Sequence, residues 1–108
     1  MPVPVPKAIA EYFQAANGDD PDRVAACFAE DAVVKDERRG TSGRAAIRAW
    51  AEETQRKYRY HAEIKNVEKQ AVRYVVTAHL TGDFPGSPID LNYRFKLNGA
   101  EIVSLEIG

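Results

Sequence analysis

The second half of the chain alternates between apolar and polar residues, and this alternation constrains the fold more than any other feature. It runs through three stretches, at 71–81, 89–97 and 102–107. A period of two residues is typical of a β-strand with one buried face. Between the last two stretches stands Asn98-Gly99, a strong signal for a tight hairpin turn. This half is therefore predicted to form an antiparallel sheet, with one more strand at about 60–67.

The first half carries helical patterns instead. Helix one is predicted from about Pro6 to Asn17, with apolar residues spaced to form one buried stripe. Asp20 is the expected cap of a second helix that extends its apolar face to Phe28, and a third helix is expected at about 44–57. A short strand should lie at about 32–36, followed by a turn-rich connection at 38–43. This segregation predicts a single α+β domain with helices on one face of the sheet.

Composition excludes several classes of protein. The net charge of the 108 residues is −1, whereas a nucleic-acid-binding surface usually brings a clear basic excess. No apolar run approaches the roughly 20 residues that cross a bilayer, and no signal-peptide pattern opens the chain. We therefore expect a cytoplasmic protein that binds neither nucleic acid nor membrane. The single cysteine, Cys27, falls in an apolar helical stripe and is expected to be a buried, inert thiol.

One carboxylate occupies an unusual position in this pattern. Asp36 is in phase with Ala32 and Val34, on the apolar side of the predicted first strand. If it points into a cavity, burial raises its pKa and makes it a candidate general base. If the strand ends there, Asp36 instead begins the turn before Arg38 and Arg39 and pairs with an arginine. The sequence leaves both interpretations open.

The order of elements resembles the nuclear transport factor two-like superfamily, which includes ketosteroid isomerase and the SnoaL-like polyketide cyclases. The resemblance is carried by 11–13, 17–19, 28–36, 43–50 and 98–104, and it covers nearly the whole chain. It implies one SnoaL-like domain over 1–108, folded as a cone-shaped barrel of three N-terminal helices on a curved, mainly antiparallel sheet. This fold hosts enzymes, binding proteins and dimerisation modules, so it does not fix the activity.

Comparison with ketosteroid isomerase implies three catalytic residues. Tyr12 matches the tyrosine that binds the developing oxyanion, Asp36 matches the aspartate that moves the proton, and Asp90 looks like the second oxyanion donor, a neutral aspartic acid. Strand parity argues differently for Asp90, because Leu91 and Tyr93 belong to the apolar set and Asp90 is out of phase with them. A pocket role and an outward position therefore both stay open for Asp90.

The predicted pocket wall is apolar and aromatic, because core and pocket share one surface in this fold. The candidates are Phe28, Val34, Trp50, Tyr58, Phe84, Tyr93 and Phe95. His61 and His79 are too isolated to form a metal site, and no phosphate-binding glycine loop is present, so neither a metal nor an organic cofactor is expected.

Three functions are compatible with these patterns. The chain is a cofactor-free isomerase- or cyclase-type enzyme that moves a proton on a small hydrophobic carbonyl compound, a binding protein for an apolar metabolite, or a dimerisation module with a vestigial pocket. The second face of the sheet carries Val75 among polar residues, so we expect that face to be covered in a homodimer.

Overall fold

The computed structural model describes residues 4–36 and 38–108, which form three helices and six strands. The helices are α1 (Lys7–Asn17), α2 (Pro21–Ala26) and α3 (Arg44–Tyr58). The strands are β1 (Phe28–Asp36), β2 (Arg39–Ser42), β3 (His61–Gln70), β4 (Arg73–Thr81), β5 (Ile89–Asn98) and β6 (Glu101–Ile107).

All six strands belong to one curved sheet in the order β2-β1-β6-β5-β4-β3. Neighbouring strands are antiparallel except for β1 and β6, which are parallel. The sheet does not close on itself, because β2 and β3 are its two edges. The predicted α+β class is confirmed, while the sheet itself is mixed and open. The parallel β1–β6 pair brings the first strand of the chain beside the last one.

Two predicted boundaries in the first half are wrong. Residues 39–42 were expected in a turn, yet Arg39–Ser42 pairs with β1 as the edge strand β2. This strand contains no apolar residue, so it is held through its backbone and leaves no alternation in the sequence. Helix α2 ends at Ala26, and Phe28 belongs to β1 rather than to the helix.

Local signals at the helix ends explain how the first two helices are placed. The Asp20 side chain accepts a hydrogen bond of 3.2 Å from the Arg23 N–H, as a cap should, and Pro21 occupies the first helical position. The Asn17 amide is bonded to both backbone groups of Ala62, donating to its oxygen at 2.9 Å and accepting from its nitrogen at 2.8 Å. The end of α1 is thereby fixed to β3.

The hydrophobic core lies where α1 crosses the sheet. Tyr12 and Phe13 of α1 lie edge to face at 5.1 Å between ring centroids. Tyr12 also meets Phe28 of β1 and Phe95 of β5, and Phe13 meets Phe95, at 5.6 to 6.0 Å. Such aromatic pairs add about 0.5–1.5 kcal/mol each beyond the area they bury. We call this cluster of four rings the closed end of the interior.

The other face of the sheet is mostly polar, and none of the helices among the described residues covers it. Thr77 donates to the Asn92 side chain at 3.1 Å, and His79 Nδ1 lies 2.7 Å from Asp90 Oδ1. These pairs lie directly across the β4–β5 ladder. None of the helices in the described part of the chain is long and apolar enough to cross a membrane.

Candidate functional site

A cavity of about 350 Å³ opens at the other end of the interior, between α3, the sheet and the loop at 82–88. This volume lies within the range of about 300–1,000 Å³ that small-molecule sites occupy. Its wall consists of Asp36, Trp50, Thr54, Tyr58, Tyr60, Leu80, Phe84, Pro85, Ile89, Leu91, Tyr93 and Ile107. Of these described residues, Asp36 is the only one with a carboxyl group, and none is a lysine, an arginine or a histidine.

Asp36 reaches the cavity because it keeps the phase of β1. Ala32 and Val34 are buried on the same face, and Asp36 follows them as the last residue of the strand. Its Oδ2 accepts a hydrogen bond of 3.1 Å from the indole Nε1 of Trp50, which projects from α3. The carboxylate is therefore oriented by a donor from the opposite wall of the site.

Three tyrosines surround this carboxylate. Burial raises the pKa of Tyr12 and of Tyr93 well above the ordinary value of 10.0, and the nearby Asp36 charge raises both further. Burial likewise raises the pKa of Tyr60 to about 12, an effect that a hydrogen bond from the Tyr12 hydroxyl partly offsets. All three phenols are protonated at neutral pH and are available as hydrogen-bond donors.

Tyr60 belongs to the cavity wall, whereas Tyr12 does not. Tyr12 is 1% exposed, packs in the closed end and lies outside the cavity wall, while its hydroxyl is bonded to that of Tyr60. Tyr60 stands between α3 and β3, where Gln55 Nε2 donates to its backbone oxygen at 3.0 Å and to that of Ala16 at 2.5 Å. Tyr60 is thus a wall residue that is hydrogen-bonded to the buried Tyr12.

The loop at 82–88 covers the cavity and is fastened to the end of α3. The Asp83 backbone N–H donates to the Tyr58 backbone oxygen at 2.8 Å, and the rings of Phe84 and Tyr58 meet edge to face at 5.8 Å between centroids. Gly82 packs so closely that an added Cβ would lie 2.7 Å from the Tyr58 backbone oxygen. Only glycine fits at this position, because the atoms that an added Cβ would meet belong to the main chain and cannot move aside as a flexible side chain would.

A second cavity of about 370 Å³ adjoins the first on the other side of Trp50. The two cavities share Asp36, Trp50, Thr54 and Tyr58, which therefore form a partition between them. The second cavity is more polar, with Arg39, Glu53 and Lys57 in its wall. Asp36 and Trp50 are accessible from both sides of the partition.

The structure brings together five of the residues singled out from the sequence: Asp36, Trp50, Tyr58, Phe84 and Tyr93 all line the first cavity. It places Phe28, Val34 and Phe95 elsewhere, since all three are 0% exposed in the core and absent from the cavity wall. Asp90 lies on the outer face of the sheet, where it is paired with His79. Asp90 therefore has the outward position that strand parity indicates.

Sequence reasoning missed several wall residues, of which Tyr60 is the most important. The signal for Tyr60 was present, since it is in phase with Ala62 and Ile64 on the inner face of the predicted strand. Leu80 and Leu91 were assigned to the apolar strand faces without being recognised as cavity residues. Thr54 gave no signal beyond its place on the inner face of α3.

Solved structures of other proteins share this fold. A protein from Sinorhizobium meliloti, provisionally assigned as a polyketide cyclase, is 35% identical over 96% of this chain and 95% of its own, with a TM-score of 0.92. A hypothetical protein from Catenulispora acidiphila has a ketosteroid isomerase-like fold and was crystallised with trimethylamine. It is 20% identical over 97% of this chain and 86% of its own, with a TM-score of 0.85.

A provisionally assigned ketosteroid isomerase from Kribbella flavida is 16% identical over 93% of this chain and 73% of its own, with a TM-score of 0.77. At identities of 16% and 20% these last two structures show a shared fold alone. No curated protein sequence matches the chain. The model of the SnoaL-like domain family matches residues 9–105. The chain therefore belongs to the SnoaL-like domain family.

Proposed function

We propose that this protein binds a small hydrophobic carbonyl compound in the first cavity and moves a proton next to the carbonyl group without a cofactor. One observation carries the proposal: the Asp36 carboxylate stands in an otherwise apolar and aromatic wall, beside the hydroxyl of Tyr60. A base and a hydrogen-bond donor in one largely apolar cavity are the two groups that enolisation requires. The relative assigned as a polyketide cyclase supports a carbonyl ligand by analogy.

The residues divide the chemistry as follows. Asp36 removes a proton from the carbon next to the carbonyl and later returns it to the same or a neighbouring carbon. The Tyr60 hydroxyl donates a hydrogen bond to the carbonyl oxygen as negative charge develops there, and Tyr12 behind it holds Tyr60 in position. Trp50 fixes the carboxylate through its 3.1 Å hydrogen bond.

The test is proton exchange in deuterated water. Apolar cyclic ketones are incubated with the protein, and loss of the signal from protons next to the carbonyl is followed by NMR. We expect exchange above the buffer rate, and a decrease of about 10²–10⁴-fold in the Asp36→Asn variant, the usual contribution of a general base. Asp31→Asn is the matched control, because Asp31 is exposed on the same strand and should leave the exchange rate unchanged.

A non-catalytic binding protein is the second candidate, and the position of Asp90 favours it. With Asp90 on the outer face, the described wall holds one carboxyl group where the isomerase mechanism uses two. The proton-exchange experiment, combined with a measurement of ketone binding, distinguishes the two candidates. Ketones that bind equally to the wild type and to Asp36→Asn, with no exchange in either protein, would establish binding without catalysis.

We also propose that the outer face of the sheet is covered by a second copy of the chain. Basic side chains of β1, β4 and β5 flank a shallow concavity there, including Arg73, Arg94 and Lys96. Glu63 and Glu68 project from the same face at the β3 edge, so two copies related by a twofold axis can pair opposite charges. Light scattering should give the mass of a dimer, which falls to the monomer mass in Arg94→Glu.

A further inference from the structure

The wall of the first cavity also indicates the charge of its ligand. We propose that the compound bound there carries a positively charged, alkylated nitrogen atom, as in a trimethylammonium group. The inference rests on the proposed function in one respect only, namely that the first cavity is a binding site. It adds a chemical class that the proposed function does not require.

The charge of the wall favours a cation. Asp36 is the single described wall residue with a carboxyl group, and no lysine or arginine is among the described residues that line the first cavity. The wall therefore bears one negative charge in surroundings of low polarity, where electrostatic interactions are stronger than in water. An anionic ligand would be repelled at this position, whereas a cationic one would be attracted.

The rings of the wall favour a cation independently of Asp36. Five of the twelve wall residues are aromatic: Trp50, Tyr58, Tyr60, Phe84 and Tyr93. The Tyr58 ring already has a cation over it, the Lys57 ammonium group, whose Nζ lies 4.9 Å from the ring centroid. The negative face of an aromatic ring attracts a cation, tryptophan most strongly, and quaternary ammonium groups are commonly bound by several rings at once. Phe84 and Tyr58 stand nearly perpendicular, at 84°, and thus form two sides of a corner.

The geometry at Trp50 joins these two effects. Its indole N–H donates to Asp36, so the ring and the carboxylate are adjacent in the wall. A cation beside the carboxylate is therefore also close to the aromatic side chains of the wall. No other acidic side chain competes for that cation within the described wall.

The remaining wall residues explain why the nitrogen should be alkylated. Leu80, Leu91 and Ile107 offer apolar contacts, and Asp36 and Thr54 supply the few polar atoms besides the tyrosine hydroxyls. A bare ammonium group would lose its hydration without replacement hydrogen bonds, at a large cost. Methyl groups on the nitrogen remove most of that need and pack against the leucines.

The experiment compares choline with 3,3-dimethylbutan-1-ol, which has the same shape without the charge. Trp50 is the only tryptophan of the chain, so its indole N–H gives a single NMR signal at the site. We expect choline to shift this signal and to bind at least about tenfold more tightly than the neutral alcohol. Asp36→Asn should remove most of the difference, and the surface control Asp31→Asn should preserve it.

A second variant tests the rings without removing the carboxylate. Phe84→Leu keeps the apolar volume but removes one ring face, so it should weaken choline binding severalfold and leave the alcohol nearly unaffected. Equal binding of the two probes to the wild type would overturn the inference and leave the proposed function intact. If neither choline, the alcohol nor any ketone of the exchange assay bound, the inference and the proposed binding site would fall together.

Discussion

The two ends of the interior are built from the same kinds of residue but are packed differently. At the closed end, α1 lies across the sheet, and Tyr12, Phe13, Phe28 and Phe95 fill the space with edge-to-face contacts. At the open end, α3 and the loop at 82–88 cover the sheet from farther away and leave the first cavity. Inner-face aromatic residues therefore fill the core at one end and line the cavity at the other, and Tyr93, whose ring lies 5.0 Å from that of Phe13, does both.

The largest expected effect separates Phe28 from Phe84. Phe28→Ala removes a fully buried ring from the closed end and should lower the free energy of unfolding by about 3–5 kcal/mol. Phe84→Ala should cost about 1 kcal/mol, because the ring already borders empty space, while it weakens ligand binding. Urea unfolding followed by circular dichroism measures both. Equal losses of stability would show that the two ends do not differ.

A smaller loss is expected where the loop meets α3. Gly82→Ala places a methyl group against the backbone of Tyr58 and Tyr60 and should destabilise the fold by about 1–3 kcal/mol. Gly40→Ala is the matched control, since an added Cβ there has open space and the change should stay within about 0.5 kcal/mol. If Gly82→Ala were as stable as Gly40→Ala, the loop would not be fastened as described.

Alkaline pH should lower the free energy of unfolding by ionising the buried Tyr60. The unfolded chain ionises its tyrosines from about pH 10, whereas folded Tyr60 stays protonated up to a pKa of about 12. The contribution of Tyr60 to stability is therefore complete below pH 10 and is lost between pH 10 and 12. Between pH 9 and 11, Tyr60→Phe should lose about 1 kcal/mol less stability than the wild type, in urea unfolding at each pH. An unchanged pH dependence would contradict the burial of its hydroxyl.

The smallest effect is expected outside the interior. Asp90→Asn weakens a surface pair with His79, so stability should change by less than about 1 kcal/mol. Exchange of ketone protons should not change, because Asp90 lies on the face opposite the cavity. If Asp90→Asn strongly reduced the exchange rate while the fold stayed intact, the chemistry would lie on the outer face of the sheet and not in the first cavity.

The sequence predicts which side chains point inward, because strand period and helix spacing are local properties. The inward phase of Asp36 and Tyr93 and the outward phase of Asp90 follow from that period. It does not predict whether an inward side chain meets another side chain or empty space. Phe95 and Tyr93 share one face of β5, yet only Tyr93 borders the first cavity.

Other features depend on backbone contacts that leave no pattern. Strand β2 pairs along β1 without an apolar residue, and a register shift in β3 between Ile64 and Asn66 moves Val67 to the inner face. The Tyr12–Tyr60 hydrogen bond joins residues far apart in the chain. These features appear only once α1, α3 and the sheet are assembled.

The partition between the two cavities has an evolutionary consequence. Because Trp50 is one of the four residues that the two cavities share, its substitution by a small residue would join the two cavities into one longer tunnel. Such a tunnel would admit longer molecules, with one end apolar and the other lined by Arg39 and Lys57. The same scaffold could thus acquire a new range of ligands without rebuilding its sheet.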